Sequence, residues 1–191
     1  MVAAEALRHS RISLAHGTGA IPAPGFGTLI PDLGQTKQAT TAALEVGFRH
    51  LDGAERYQNE EAVGAAIHEA IAAGTVRRED LFVTTKLWNT NHRPERVRPA
   101  FDEAECSGRP GDHRHRRAGA HVAAQVALSW AAQRGTAFLT TSTKPQRIKE
   151  NFEISTLPEE AMQAIRDRIT TNIRFNSVVN TGVPGFIPSI K

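Results

Sequence analysis

At 191 residues, with 40% hydrophobic and 23% charged side chains, the chain is long and apolar enough to bury a core, which excludes a disordered polyelectrolyte. A net charge of +3 is too small to demand a nucleic-acid or membrane partner. The single cysteine, Cys106, excludes an intrachain disulfide framework, and no run approaches the roughly 20 apolar residues of a membrane helix, so a soluble, cytoplasmic protein is expected.

In chain order, IPAPGFGTLIPD is punctuated by glycine and proline around a short apolar piece, Phe26 to Ile30, which predicts a buried strand running into a loop. Helical spacing of Ala39, Ala42, Ala43 and Val46 predicts a helix over 35–46 closed by Gly47. FRHLD, 48–52, reads as the next strand. Asn59 is placed to cap a helix with Ala62, Val63, Ala66, Ile67, Ala70 and Ile71 on its apolar face, ending at Gly74. The β-branched and aromatic run LFVTTKLW, 81–88, predicts a third strand, and Pro94 to Ala104 a third helix.

Residues 105–121, ECSGRPGDHRHRRAGAH, break this rhythm and read as an irregular junction. A helix over AAQVALSWAAQR, a strand in TAFLTT, a helix from Pro145 and a last helix over 159–168 follow, before a tail rich in glycine and proline. Alternating strands and helices predict α/β structure with a parallel sheet. Four strands of the β/α type can be counted, whereas a closed barrel needs eight and typically about 250 residues.

In such a sheet the loops after the strand ends share one face, which would bring Asp52, Tyr57 and Lys86 together. A phenol with a reference pKa of about 10 is a poor acid at neutral pH, but a lysine ammonium beside it favours the phenolate, and an aspartate can hold that lysine charged and aimed. Carbonyl reduction requires such a set, because hydride arriving at carbon leaves charge on oxygen that must be stabilised and protonated. On residue types alone the same side chains serve equally as a loop cap, a half-buried ring and a solvated strand end.

GFRHLDGAERYQNEEAVGAAI with LFVTTKLWN resembles the aldo-keto reductase superfamily, in whose pattern the positions of Asp52, Tyr57 and Lys86 are catalytic. PAPGFGTL is similar to that family's first strand, which implies that Gly27, Thr28 and Leu29 flank the nicotinamide. AAQVALSWAAQRGTAFLTTSTKPQRIKENFEI resembles the segment around the adenosine 2′-phosphate and adenine, implying Ser142 and Arg147 at the phosphate and Glu150 and Asn151 at the adenine, with Asp52 also near the cofactor. Hydroxyl and guanidinium suit a phosphate dianion, and Lys144 and Lys149 add a favourable field.

The resemblance implies an incomplete (β/α)8 TIM barrel in a single domain, 1–191, that uses NADP(H) to reduce a small aldehyde or ketone. Two departures bear on activity. Thr141 stands where the pattern has a lysine directly before the phosphate-binding serine, which predicts a weaker hold on phosphate and leaves NADP against NAD open. After AFDEAEC the middle strands are missing, with the L-I-H-type histidine that orients the carbonyl, which predicts impaired turnover. The alternative is a noncatalytic truncated form that binds nucleotide or associates with a full-length reductase; an open barrel also invites self-association. His113, His115 and His121, with Cys106 and Asp112, offer metal donors on a loop with nothing to fix them, so no metal is expected. RHRR lacks the aromatic interleaving of a nucleic-acid binder.

Overall fold

The structure, a computed structural model, describes residues 6–17, 19–104 and 121–168. The chain divides into two compact units, Met1–Leu157 and Pro158–Lys191. The described part of the second is one helix, α6 (Glu159–Arg168), over the residues the sequence predicts.

After a helical turn at 6–8, the first unit has an antiparallel pair, β1 (Arg11–Ser13) and β2 (Ala20–Pro22), which the sequence reading does not anticipate. Both strands lie outside the strand–helix alternation that marks the others. The remainder is β/α. Strand β3 (Pro24–Gly27) leads to α1 (Leu33–Val46), β4 (His50–Asp52) to α2 (Glu60–Ala72), and β5 (Phe82–Thr84) to α3 (Pro94–Ala104). Then come α4 (His121–Gln133), β6 (Phe138–Thr140) and α5 (Pro145–Phe152). Cys106, Asp112, His113 and His115 of the junction lie outside the described residues.

Strands β3 to β6 form one parallel sheet in the order β5-β4-β3-β6. The last strand therefore pairs with the first, as in a closing barrel, and four parallel strands form an incomplete (β/α)8 architecture. Phe26 stands beside Leu51 and Leu51 beside Val83, so these three side chains share the face turned to the helices. Phe26 and Leu51 are buried there with Ala39, Ala43 and Leu44 of α1, Val63 and Ala70 of α2, and Ile148 and Phe152 of α5. Phe48 closes the core, with its ring 5.8 Å from Phe26 and 4.8 Å from Phe152.

Several boundaries differ from the sequence reading for identifiable reasons. α1 starts before Gln35 because the Asp32 carboxylate accepts the Gln35 N–H at 2.7 Å, a cap that draws the preceding turn into the helix. It ends at Gly47, whose φ of 124° and the Phe152 ring atom 2.8 Å from where a Cβ would sit leave room for glycine alone. The strand expected to reach Ile30 stops at Gly27, and the Ile30 N–H folds back onto the Thr28 carbonyl at 2.7 Å. The strand expected over 81–88 is confined to Phe82–Thr84, because beyond Thr84 the chain turns to contacts with Asp52, Gly53 and Glu55.

Candidate active site

Gly27, Asp52 and Thr84 stand at one level at the C-terminal ends of β3, β4 and β5. Asp52 is 7% exposed, and both carboxylate oxygens are engaged: Oδ1 accepts from Thr84 Oγ1 at 2.7 Å and Oδ2 from Lys86 Nζ at 2.6 Å. Lys86 lies two residues past β5, and its ammonium also donates to the Gly53 carbonyl at 2.8 Å. The Tyr57 hydroxyl is 3.4 Å from that ammonium. Tyr57 ends a 3-10 turn, Glu55–Tyr57, just after β4. The three residues singled out from the sequence are thus brought together, with lysine between aspartate and phenol.

Burial is the strongest single influence on Lys86 and opposes its charge. The hydrogen bond and charge of Asp52, with the phenol of Tyr57, outweigh it, and the lysine pKa ends above its ordinary 10.5. The ammonium is therefore kept across the physiological range. His50, one layer below Asp52, is pushed the other way: burial lowers its pKa more than the Asp52 charge raises it, so the imidazole is neutral at pH 7. Its ring meets Phe82 edge-on at 5.6 Å.

Sequence reasoning missed three supporting side chains. Thr84 holds the second Asp52 oxygen, and its position two residues before Lys86 in a strand-like run was the available signal. Asn59 precedes α2 at the cap position but makes no side-chain cap hydrogen bond; its amide donates instead to the carbonyls of Thr28 at 2.6 Å and Ile30 at 3.0 Å. Glu60 accepts from Thr85 Oγ1 at 2.5 Å behind the backbone of Gly53.

Burial, followed by the neighbouring Glu55 charge, raises the Glu60 pKa above the ordinary 4.5 against the pull of Thr85 and Lys86. A raised carboxyl pKa disfavours the charged form in the fold. The penalty is absent below about pH 4.5, where Glu60 is protonated in folded and unfolded chains alike, and grows until pH passes the folded pKa. Glu60→Gln, which keeps an acceptor for Thr85, is expected to raise the melting temperature at pH 7 and to leave it unchanged at pH 4. Equal melting temperatures at pH 7 would contradict this.

Of the positions that the resemblance assigns to the nucleotide, Gly27, Thr28, Leu29 and Ser142 lie at or just past the strand exits of the same rim. Thr28 is buried, its hydroxyl donating to the Asp52 carbonyl at 3.0 Å, whereas Leu29 is 60% exposed. Thr141 donates its hydroxyl to the Gly27 carbonyl at 2.8 Å, tying the exit of β6 to that of β3. Ser142 Oγ accepts the Lys144 N–H at 3.1 Å. Ser142 lies just before α5 and Arg147 in its first turn, so both residues belong to the stretch that joins the exit of β6 to a helix N-terminus. Glu150 accepts from Gln146 at 2.9 Å, and Asn151 donates to Thr140 Oγ1 at 2.5 Å, which anchors α5 to β6.

The Aldo/keto reductase family model matches residues 25–105, the stretch from β3 through α3 that carries Asp52, Tyr57 and Lys86. Dihydrodiol dehydrogenase 3 of Bos taurus is 53% identical over 87 residues, 44% of this chain and 27% of that protein. Prostaglandin-E(2) 9-reductase of Oryctolagus cuniculus is 47% identical over 100 residues, 51% of this chain and 31% of the relative. These matches span less than a third of the curated relatives' length. Among solved structures, a Bombyx mori aldo-keto reductase in complex with NADP superposes with a TM-score of 0.68 at 23% identity, covering 83% of this chain and 92% of the other. That likeness establishes the barrel-type fold. The likeness to the aldo-keto reductase family therefore lies in residues 25–105, over the strands that build the site, and reaches only part of the curated relatives.

Proposed function

We propose that the chain reduces an aldehyde or ketone to an alcohol with NADP(H). The observation that carries this reading is the Asp52–Lys86–Tyr57 relay on the strand-end rim. Tyr57 donates its proton to the carbonyl oxygen as carbon is reduced. Lys86, held charged by Asp52, stabilises the phenolate left behind, which solvent then reprotonates. When bound, the reduced nicotinamide supplies the hydride. Ser142 and Arg147 would hold the 2′-phosphate, Glu150 and Asn151 the adenine, and Gly27, Thr28 and Leu29 would flank the nicotinamide. The Bombyx mori neighbour is a complex with NADP, which supports the choice of cofactor. Thr141, bonded to Gly27, adds no cation to the phosphate side. No L-I-H-type segment exists in the sequence, so turnover is proposed to be slower than in a chain with the middle strands restored. Among the described residues no helix is long and apolar enough to cross a membrane.

Fluorescence titration of the purified chain with NADPH, combined with an assay on a reactive aldehyde, tests this reading. Arg147→Met is expected to weaken NADPH binding about 10–100-fold, the effect of losing one hydrogen bond to a charged group. An unchanged affinity would remove Arg147 from the phosphate site. Equal rates with and without the middle strands would overturn the proposed impairment.

A second reading, association without catalysis, is favoured by the edges of the sheet. β5 and β6 each lack a second strand neighbour among the described residues, and their central side chains, Val83 and Leu139, are 41% and 48% exposed. Sedimentation discriminates the two: a species near 20.8 kDa that oxidises NADPH supports the reductase, and a larger species without turnover supports association.

A further inference from the structure

The turn that presents Tyr57 and the loop that follows Lys86 are separate pieces of chain, and Glu55 bridges them. One carboxylate oxygen of Glu55 accepts the backbone N–H of Trp88 at 2.8 Å, and the other accepts from the Asn91 amide at 2.7 Å. The backbone N–H of Glu55 donates to the Lys86 carbonyl at 3.3 Å. The neighbouring Arg56 guanidinium lies 5.3 Å from the centre of the Trp88 ring. Glu55 is thus two residues before the phenol and is bonded to a residue two past the ammonium.

An ionised carboxylate is an acceptor at both oxygens, so it can hold two donors at once without a mismatched group, and such bonds are stronger than neutral ones. The phenol-to-ammonium separation of 3.4 Å is at the long end of hydrogen bonding, where a small displacement of either segment breaks the contact. We propose that Glu55 is a positioning residue that clamps the loop from Lys86 to Asn91 against the Glu55–Tyr57 turn and so sets the phenol over the lysine. The same clamp holds the backbone of Trp88, whose half-exposed indole faces the Arg56 guanidinium. The proposal deepens the reductase reading and rests on it for the role of Tyr57; the clamp itself is a matter of structure.

The test uses the full chain with Glu55→Ala and the nearly isosteric Glu55→Gln. Glutamine keeps one acceptor oxygen and places an N–H2 where the other was, so its effects are expected to fall between those of the parent and of alanine. If the alanine variant does not fold, the glutamine variant carries the test alone. The first readout is amide hydrogen exchange at Trp88, expected to accelerate about 10–100-fold in Glu55→Ala. The Gly53 amide, which donates to Thr84 within the sheet, is expected to keep its rate. The second is the nuclear Overhauser effect between the ring of Tyr57, the chain's one tyrosine, and the Lys86 side chain, whose ammonium is 5.2 Å from the ring centre; it is expected to weaken. The third is a fall in kcat of about tenfold with unchanged NADPH affinity.

Unchanged Trp88 exchange, or an undiminished Overhauser effect in a folded variant, overturns the clamp. Faster exchange with unchanged kcat overturns the positioning role. A parent that reduces no aldehyde counts against the reductase reading alone, because exchange and the Overhauser effect still decide whether Glu55 places Tyr57.

Discussion

Tyr57→Phe is expected to slow aldehyde reduction by about 10²–10⁴-fold, the range for losing a positioned general acid, with NADPH affinity unchanged. The size of the effect follows from the surroundings. Tyr57 is the chain's one tyrosine, so no second phenol can take its place, and its hydroxyl faces an ammonium that cannot substitute for it without giving up the Asp52 contact. The substitution removes one oxygen whose contact is a 3.4 Å approach to an exposed lysine, so the melting temperature should hardly move. Steady-state kinetics at saturating NADPH, with thermal unfolding of the same sample, separate chemistry from folding. A rate within a few-fold of the parent would mean that the proton comes from elsewhere and that the relay is a structural ion pair.

The largest loss of stability is expected from Phe48→Ala, about 3–5 kcal/mol. Phe48 is fully buried, and its ring sits between Phe26 of β3 and Phe152 of α5. Removing it opens a void between β3 and α5 that close packing of the surrounding core leaves only partly able to collapse. Total stability of a domain is about 5–15 kcal/mol, so this one change consumes much of the margin. Urea unfolding followed by circular dichroism measures it; a loss below about 1 kcal/mol would mean that the Phe26–Phe48–Phe152 cluster is not the core that joins β3 to α5.

The β/α rhythm was legible from residues 35 to 104 because the helices carry a 3.6-residue apolar face and the first two end at Gly47 and Gly74 ahead of an extended run. The convergence of Asp52, Tyr57 and Lys86 was legible as well, since strand exits of a parallel sheet share a rim whatever the details. What escaped was set by contacts between segments distant in sequence. Nothing local shows that Asn59 spends its amide on the carbonyls of Thr28 and Ile30 rather than on its own helix, or that Glu55 reaches Trp88 and Asn91. The shortening of the strand at 81–88 has the same origin, because its β-rich composition is overruled by the pull of Asp52 and Gly53 on Lys86. The hairpin of β1 and β2 escaped because it lies outside the strand–helix alternation that marks the other strands.

The pairing of β6 with β3 has a kinetic side. Gly25 meets His50 across β3 and β4 after 25 residues (50 − 25), whereas the bond from Thr141 to Gly27 spans 114. Closing the longer loop costs about 1.3 kcal/mol more in chain entropy, before any contact at β6 compensates. The acid–base half of the rim can therefore assemble early, from contacts near in sequence, while the strand that brings Ser142 and Arg147 docks late. If the phosphate sits at Ser142 and Arg147 as proposed, nucleotide added to a refolding sample is expected to bind in a slower phase than the one in which the Phe26–Leu51 core forms.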